Sequence, residues 1–240
     1  MDLVYICRNG DNEELRYSIR SAVTNLKHDN LWVVGGKPDW YCGNYIEVPQ
    51  LLTKFENAKA NMVAISDSKE ISDDFILMND DFFIVSPVKR IDAYYGGLLR
   101  ARIRQLQRRH RTSPYILMLQ RTFRTLKRMG ISNPLDYALH IPFKMNKKKL
   151  MEILKLDISW RIAYGNIYNI GGSLVKVKDG KSTDVKLYLK DGKPEGIEDN
   201  SLTKKFLSSQ DNTFEFLLPM LQEMFPAPSQ YELEGPTMGL

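Results

Sequence analysis

The chain has only two cysteines and three histidines in 240 residues. Cys7 and Cys42 supply neither a disulfide framework nor zinc-ligand spacing, which excludes a disulfide-stapled scaffold and a zinc module. Long apolar runs are also missing. Residues 1–7 are apolar but are cut short by Arg8-Asn9-Gly10-Asp11, too early for a signal-peptide core, and no stretch approaches the length of a membrane span. These absences predict a cytoplasmic chain with reduced, structural thiols. No internal repeat is visible. Acidic residues are absent from 100–128, where nine Arg and one Lys stand. That local lack accounts for most of the net charge of +5 and the pI near 9.0. It calls for an anionic partner: nucleic acid, a phosphorylated acceptor, a nucleotide or a membrane surface.

What is present is ordinary for a folded enzyme-sized protein, with 43% hydrophobic and 26% charged residues. Residues 3–7 read as a first buried strand, followed by a turn at Asn9-Gly10 and a helix opening near Asn12-Glu13-Glu14, with acid in its first turn. In a strand-loop-helix start of this kind ligands sit at the carboxyl end of the strand, so Arg8, Asn9 and Asp11 are candidates for nucleotide contact. Leu15, Ile19 and Val23 share one helical face, leaving Arg16 and Arg20 one turn apart on another, where they either reach a phosphate or stay solvated. Residues 31–34 and 45–48 read as further strands and 55–65 as a helix; the alternation predicts an α/β architecture.

Residues 75–85 hold two apolar runs separated only by Asn79-Asp80-Asp81. Strand alternation would put Asn79 and Asp81 on one face and Asp80 on the other. An ionised carboxylate among such residues needs a compensator, and a divalent cation, an Arg or backbone N–H groups are the natural ones. Arg100, Arg104, Arg108 and Arg111 follow helical spacing, and 115–128 supplies a second helix with Arg121, Arg124 and Arg128. His140, just before a proline-containing edge, suits proton exchange with a hydroxyl. Arg161 either stabilises phosphate charge through its donor fork or packs over an aromatic ring. Residues 175–177 and 185–189 read as peripheral strands around Asp179-Gly180 and Asp191-Gly192 turns, with no chemistry of their own. The last helix, after Thr213, presents Phe216, Leu217, Met220, Leu221 and Met224 as its buried stripe.

Four separated stretches resemble the Stealth family of sugar-phosphate transferases: Val4-Tyr5 through Ser21, Phe75 through Phe83, Leu139-His140-Ile141-Pro142, and Asp211-Asn212 through Glu232. They occur in family order over nearly the whole chain. The resemblance implies a GT-A-like, Rossmann-like nucleotide-sugar-binding domain over 1–234. It would carry a basic helical insertion at about 97–130, peripheral strands at about 174–190 and a tail at 235–240. It also implies Mg²⁺ or Mn²⁺, a nucleotide-sugar donor such as a UDP-sugar, and transfer of a sugar-1-phosphate to an acceptor hydroxyl. Carried over residue by residue, Asn79 and Asp81 match the family's Asn-Asp-Asp, with Asp211 as a further acidic position for metal. His140 matches the catalytic histidine and Arg161 a later arginine, while Pro226, Ser229 and Glu232 match its structural close. The chain departs from the family after Val4-Tyr5, where Ile6-Cys7-Arg8 replaces the usual run and leaves only Asp11 for the first catalytic Asp. Two other readings stand beside this one. A true GT-A glycosyltransferase would act on a glycan, or on nucleic acid held by the Arg-rich helices. A non-catalytic nucleic-acid-binding protein would use those helices alone, and their charge also suits peripheral contact with an anionic membrane.

Overall fold

The structure, a computed structural model, describes residues 1–110, 113–175, 186–190, 193–195, 204–210 and 212–233. Along the chain the elements run β1 (Asp2–Cys7), α1 (Glu13–Asn25), β2 (Leu31–Gly35), β3 (Asn44–Glu47), α2 (Lys54–Asp67), β4 (Asp74–Asn79) and β5 (Phe82–Ile84). They continue with β6 (Tyr94–Tyr95), α3 (Leu99–His110), α4 (Pro114–Arg128), β7 (Phe143–Asn146), α5 (Lys147–Leu154), α6 (Trp160–Ile167) and β8 (Ser173–Leu174). β9 (Tyr188–Lys190), β10 (Lys193–Glu195), β11 (Phe206–Ser208) and α7 (Phe214–Met224) complete the order. Contacts divide the chain into two units, Met1–Ile91 with His140–Lys147 and Val185–Leu240, and Asp92–Leu139 with Lys148–Asp184.

The first unit is α/β. Its sheet runs β3-β2-β1-β4-β7, with the first four strands parallel and β7 antiparallel to β4. Leu3, Val4 and Tyr5 of β1, Leu31, Val33 and Val34 of β2, and Phe75, Leu77 and Met78 of β4 are fully buried, which explains why these strands read as continuous apolar runs. Caps fix the helices between them. Asn12 Oδ1 accepts the Leu15 N–H at 2.9 Å ahead of α1, and Thr53 and Glu56 form a reciprocal capping box on α2.

From β1 the chain steps outward through β2 and β3, then crosses back to place β4 on the other side of β1. This Rossmann-like order creates a switch point between β1 and β4, and ligands of such sheets lodge in the crevice beyond the carboxyl ends of the two strands. Those ends are Cys7, leading into Arg8 and Asn9, and Asn79, leading into Asp80 and Asp81. Gly36 brings the end of β2 against this rim. A Cβ there would lie 2.4 Å from the Asn9 backbone nitrogen, so only glycine permits the approach.

A second layer of the same unit pairs β5 with β11 antiparallel. Phe83, Leu207, Leu187, Tyr17, Leu217, Leu221 and Phe225 form its core. The buried stripe expected of the last helix is narrower than its spacing suggested, since Phe216 and Met224 are 43% and 40% exposed. Arg20 and Glu232 join α1 to the C-terminal segment by a bidentate pair, Nε to Oε1 at 2.8 Å and Nη2 to Oε2 at 2.6 Å.

In the second unit α3 packs on α4 around Leu99, Ile103, Leu119, Leu126 and Ile162. Both basic helices of the expected 97–130 insertion lie here. Arg100, Arg104 and Arg108 are exposed along α3, while Arg111 lies outside the described residues. The short strand β8 pairs with β6 in parallel. Of the expected peripheral strands, residues 176–185 and both Asp-Gly turns lie outside the described residues, as does the tail; Tyr188–Lys190 pairs with β10. Among the described residues, no helix is long and apolar enough to cross a membrane.

Candidate active site

The triplet does not behave as strand. β4 ends at Asn79, Asp80 and Asp81 form a two-residue turn, and β5 begins at Phe82. The two carboxylates face different neighbours. Asp80 Oδ2 accepts from the side chain of buried Asn12 at 2.8 Å, on the loop that follows β1. Burial and the adjacent Asp81 charge hold the Asp80 carboxyl above its ordinary range.

Asp81 faces three donors from three other segments. Ser208 Oγ donates to its Oδ2 at 3.1 Å and Lys186 Nζ at 3.2 Å. His140 Nδ1 stands 3.6 Å from the same oxygen, an ion-pair distance slightly long for a hydrogen bond. Burial works against ionisation of Asp81, yet His140 and Lys186 outweigh it and the carboxyl is pulled down to about 2. Sheet register explains the convergence. β7 runs antiparallel to β4 with Phe143 opposite Leu77, so the residues before Phe143 continue toward the end of β4, and His140 arrives beside Asp81. Phe82 fixes the imidazole edge-on, with centroids 6.0 Å apart. On the other side Ser208 pairs with Phe82, and Lys186 bridges to Ser208.

The remaining sequence candidates divide. Arg8, Asn9 and Asp11 are exposed on the rim at the end of β1, beside the switch point. Arg16 and Arg20 both have protein partners, Arg20 buried and Arg16 partly exposed. Arg20 is engaged by Glu232 and by the Phe225 carbonyl at 3.3 Å. Arg16 lies 4.5 Å over the Trp40 ring and pairs with Glu13 at 2.7 Å and Glu232 at 3.3 Å. Glu232 in turn accepts the Ser229 N–H at 2.7 Å, so this segment is a structural clasp. Arg161 is buried in α6, 5.2 Å over Trp160, and donates to the Leu139 carbonyl at 2.7 Å. It holds the backbone one residue before His140. Asp211 lies outside the described residues.

Lys186 and Ser208 are the site residues that sequence reasoning missed. Lys186 falls in a stretch read as a peripheral strand without chemistry, and that reading is overturned by its 3.2 Å contact with Asp81. The one available signal was charge balance, since a carboxylate in that setting requires a cation.

The expected divalent metal can be tested against these residues. Asn79 Oδ1 is buried and has no hydrogen-bond partner among the described residues, so one hard oxygen donor is in place. Asp81 fits less well, because its charge is already met by an ammonium. A divalent ion on the same carboxylate would share it with the Lys186 ammonium, and the two like charges would repel. Among the described residues no three His, Cys, Asp or Glu side chains gather to hold a metal. Among the described residues the partners of Asp81 are therefore an ammonium, an imidazole and a hydroxyl, with Asp211 outside them.

No protein-family model matches the chain, and no curated protein matches it. Among solved structures it shows a loose likeness to the apo-form glycosyltransferase GlyE of Streptococcus pneumoniae TIGR4, at 8% identity and a TM-score of 0.29. The match covers 51% of this chain and 42% of that one, so this chain spans less than half of the other's length. An overlap this loose carries no information about the reaction.

Proposed function

We propose that this protein is a nucleotide-sugar-dependent transferase that passes a sugar-1-phosphate from its donor to an acceptor hydroxyl, as the resemblance to the Stealth family implies. The observation that carries the reading is the meeting of Asp81 and His140, 3.6 Å apart, at the rim where the sheet order reverses. These two residues belong to separate stretches of the resemblance, and a structural role alone gives no reason for them to meet at a ligand-binding edge.

In the tautomer with Nδ1–H toward Asp81, His140 keeps its Nε2 lone pair for the acceptor. Asp81 then orients the ring and stabilises the imidazolium, as a buried carboxylate does for a catalytic histidine. The acceptor oxygen attacks the sugar-bearing phosphorus, its proton passes to Nε2, and the bond between that phosphorus and the bridging oxygen breaks, the oxygen leaving on the nucleoside monophosphate. Charge on the transferring group is met by Lys186 and, at the end of β1, by Arg8. The exposed Arg100, Arg104 and Arg108 give the second unit a face for an anionic acceptor.

The test is a nucleotide-sugar panel, UDP-sugars first, run with chelator and separately with Mg²⁺ or Mn²⁺. Release of the monophosphate is the expected result. Release of the diphosphate would replace the reading with glycosyl transfer, and no turnover of any donor would end it.

A further inference from the structure

Lys186 contacts Asp81, one of the residues to which the resemblance would assign a metal. Its side chain and that of Asp81 are each 14% exposed, with Nζ 3.2 Å from Oδ2. The same Nζ lies 3.4 Å from His140 Nδ1. Its placement is built in by strand pairing. Lys186 bridges to Ser208, Ser208 pairs with Phe82, and Phe82 follows Asp81 directly, so the ammonium is set across neighbouring strands from the carboxylate. Leu187, next in the chain, is buried in the core with Phe83 and Leu207 and anchors the segment. Ser208 Oγ donates to the oxygen that Lys186 contacts, which fixes that edge of the carboxylate. A lysine is a compact point charge with three N–H donors, and Asp81 requires one of them. In the His140 tautomer with Nδ1–H toward Asp81, the 3.4 Å approach to Nδ1 takes none of them, and the others can turn to phosphate oxygens.

We propose that Lys186 is the resident counter-cation of this centre, taking on Asp81 the place of a divalent metal and binding the diphosphate of the substrate directly. The substrate half of this statement rests on the transferase reading; the cation half stands without it.

Mn²⁺ titration of the 240-residue chain without nucleotide, followed by electron paramagnetic resonance, tests the cation half. The wild type should show no site on Asp81. Lys186→Gln should gain Mn²⁺ affinity by at least about tenfold, and Asp81→Asn added to it should remove the gain, because the exposed carboxylate is then the attraction. Tight Mn²⁺ binding by the wild type that Asp81→Asn abolishes would overturn the proposal. That arm needs no Lys186 variant to fold.

UDP serves as the probe for the second half, in calorimetric titrations with EDTA present. Binding without metal, weakened about tenfold or more in Lys186→Gln and kept in part by Lys186→Arg, is the expected pattern for a lost charge-assisted contact. UDP binding that appears only with Mg²⁺ would refute it. If UDP binds under neither condition the transferase reading falls, while the Mn²⁺ titration still decides the role of Lys186.

Discussion

Replacing Asp81 with Asn keeps the shape of the side chain and removes its charge, leaving Lys186 without its carboxylate. Two estimates bound the cost. A bare pair at 3.2 Å in an effective dielectric of about 20 is worth about 5 kcal/mol, an upper limit because both groups gave up water to make it. The carboxyl itself gives the net value: its pKa falls from 3.8 to about 2 on folding, and at about 1.4 kcal/mol per unit this is about 2.5 kcal/mol. The net figure governs. In a chain of 240 residues it lowers Tm by about 5–10 °C. The sign follows from the direction of the shift. A depressed carboxylate stabilises fully above its unfolded value and loses that contribution as pH falls through the folded one, so the window runs from about pH 4 down to about pH 2. Urea unfolding of both proteins should be followed by tryptophan fluorescence in a Trp160→Phe background. Trp32 and Trp40 belong to the first unit and Trp160 to the second, so this background reports the first unit alone. The stability gap between the protein that keeps Asp81 and its Asp81→Asn variant should shrink to about half by pH 3. A gap that stays constant from neutral pH to pH 3 would refute the pairing described for Asp81.

Other perturbations test other parts of the molecule. Glu232→Ala strips a buried guanidinium of its partner and should cost about 3–5 kcal/mol, read by thermal denaturation at neutral pH. Burial pushes the Glu232 carboxyl up, but Arg20 and the Ser229 N–H together bring it below its ordinary value. The penalty should therefore fade as pH falls through that depressed value, where the wild type loses the same charge. His140→Asn should lower turnover of the active nucleotide sugar by about 10²–10⁴ with little change in KM, and wild-type turnover would remove His140 from the chemistry. Changing Arg100, Arg104 and Arg108 together to Gln should leave α3 helical by circular dichroism. It should reduce the salt slope of binding to a nucleic-acid probe by about three. Salt-insensitive or absent binding by the wild type would discard nucleic acid as a partner of these helices.

The parts of the fold that could be read from sequence are those with local physics. β1, β2 and β4 are buried on both faces and so appear as apolar runs, and α1 announces itself through Asn12 and the acidic first turn that follows. Spacing also located α3 and α4 to within a residue or two. Arg16 and Arg20 show where this kind of reading ends. Their helical face was correct, but what fills it is Glu232, more than two hundred residues later, and no local pattern distinguishes a clasped arginine from a solvated one. Asp80 and Asp81 meet separate partners, which strand alternation also gives; what the two apolar runs did not show is the two-residue turn that follows Asn79.

Asp81 shows most clearly what charge accounting can and cannot do. Electrostatics required a compensator for a carboxylate among apolar strands, and one is present, so that inference was sound as physics. Its identity was not recoverable, because a lysine in an amphipathic strand has the same local pattern whether it faces water or a buried acid. Only the register that runs from Phe82 to Ser208 to Lys186 separates the two cases. The resemblance supplied Asp81 and His140 but carried a metal with them. The same register that joins those residues delivers an ammonium to one oxygen of Asp81. One lysine outside the matched stretches is enough to change the charge beside Asp81, and neither the matched residues nor their spacing announces it.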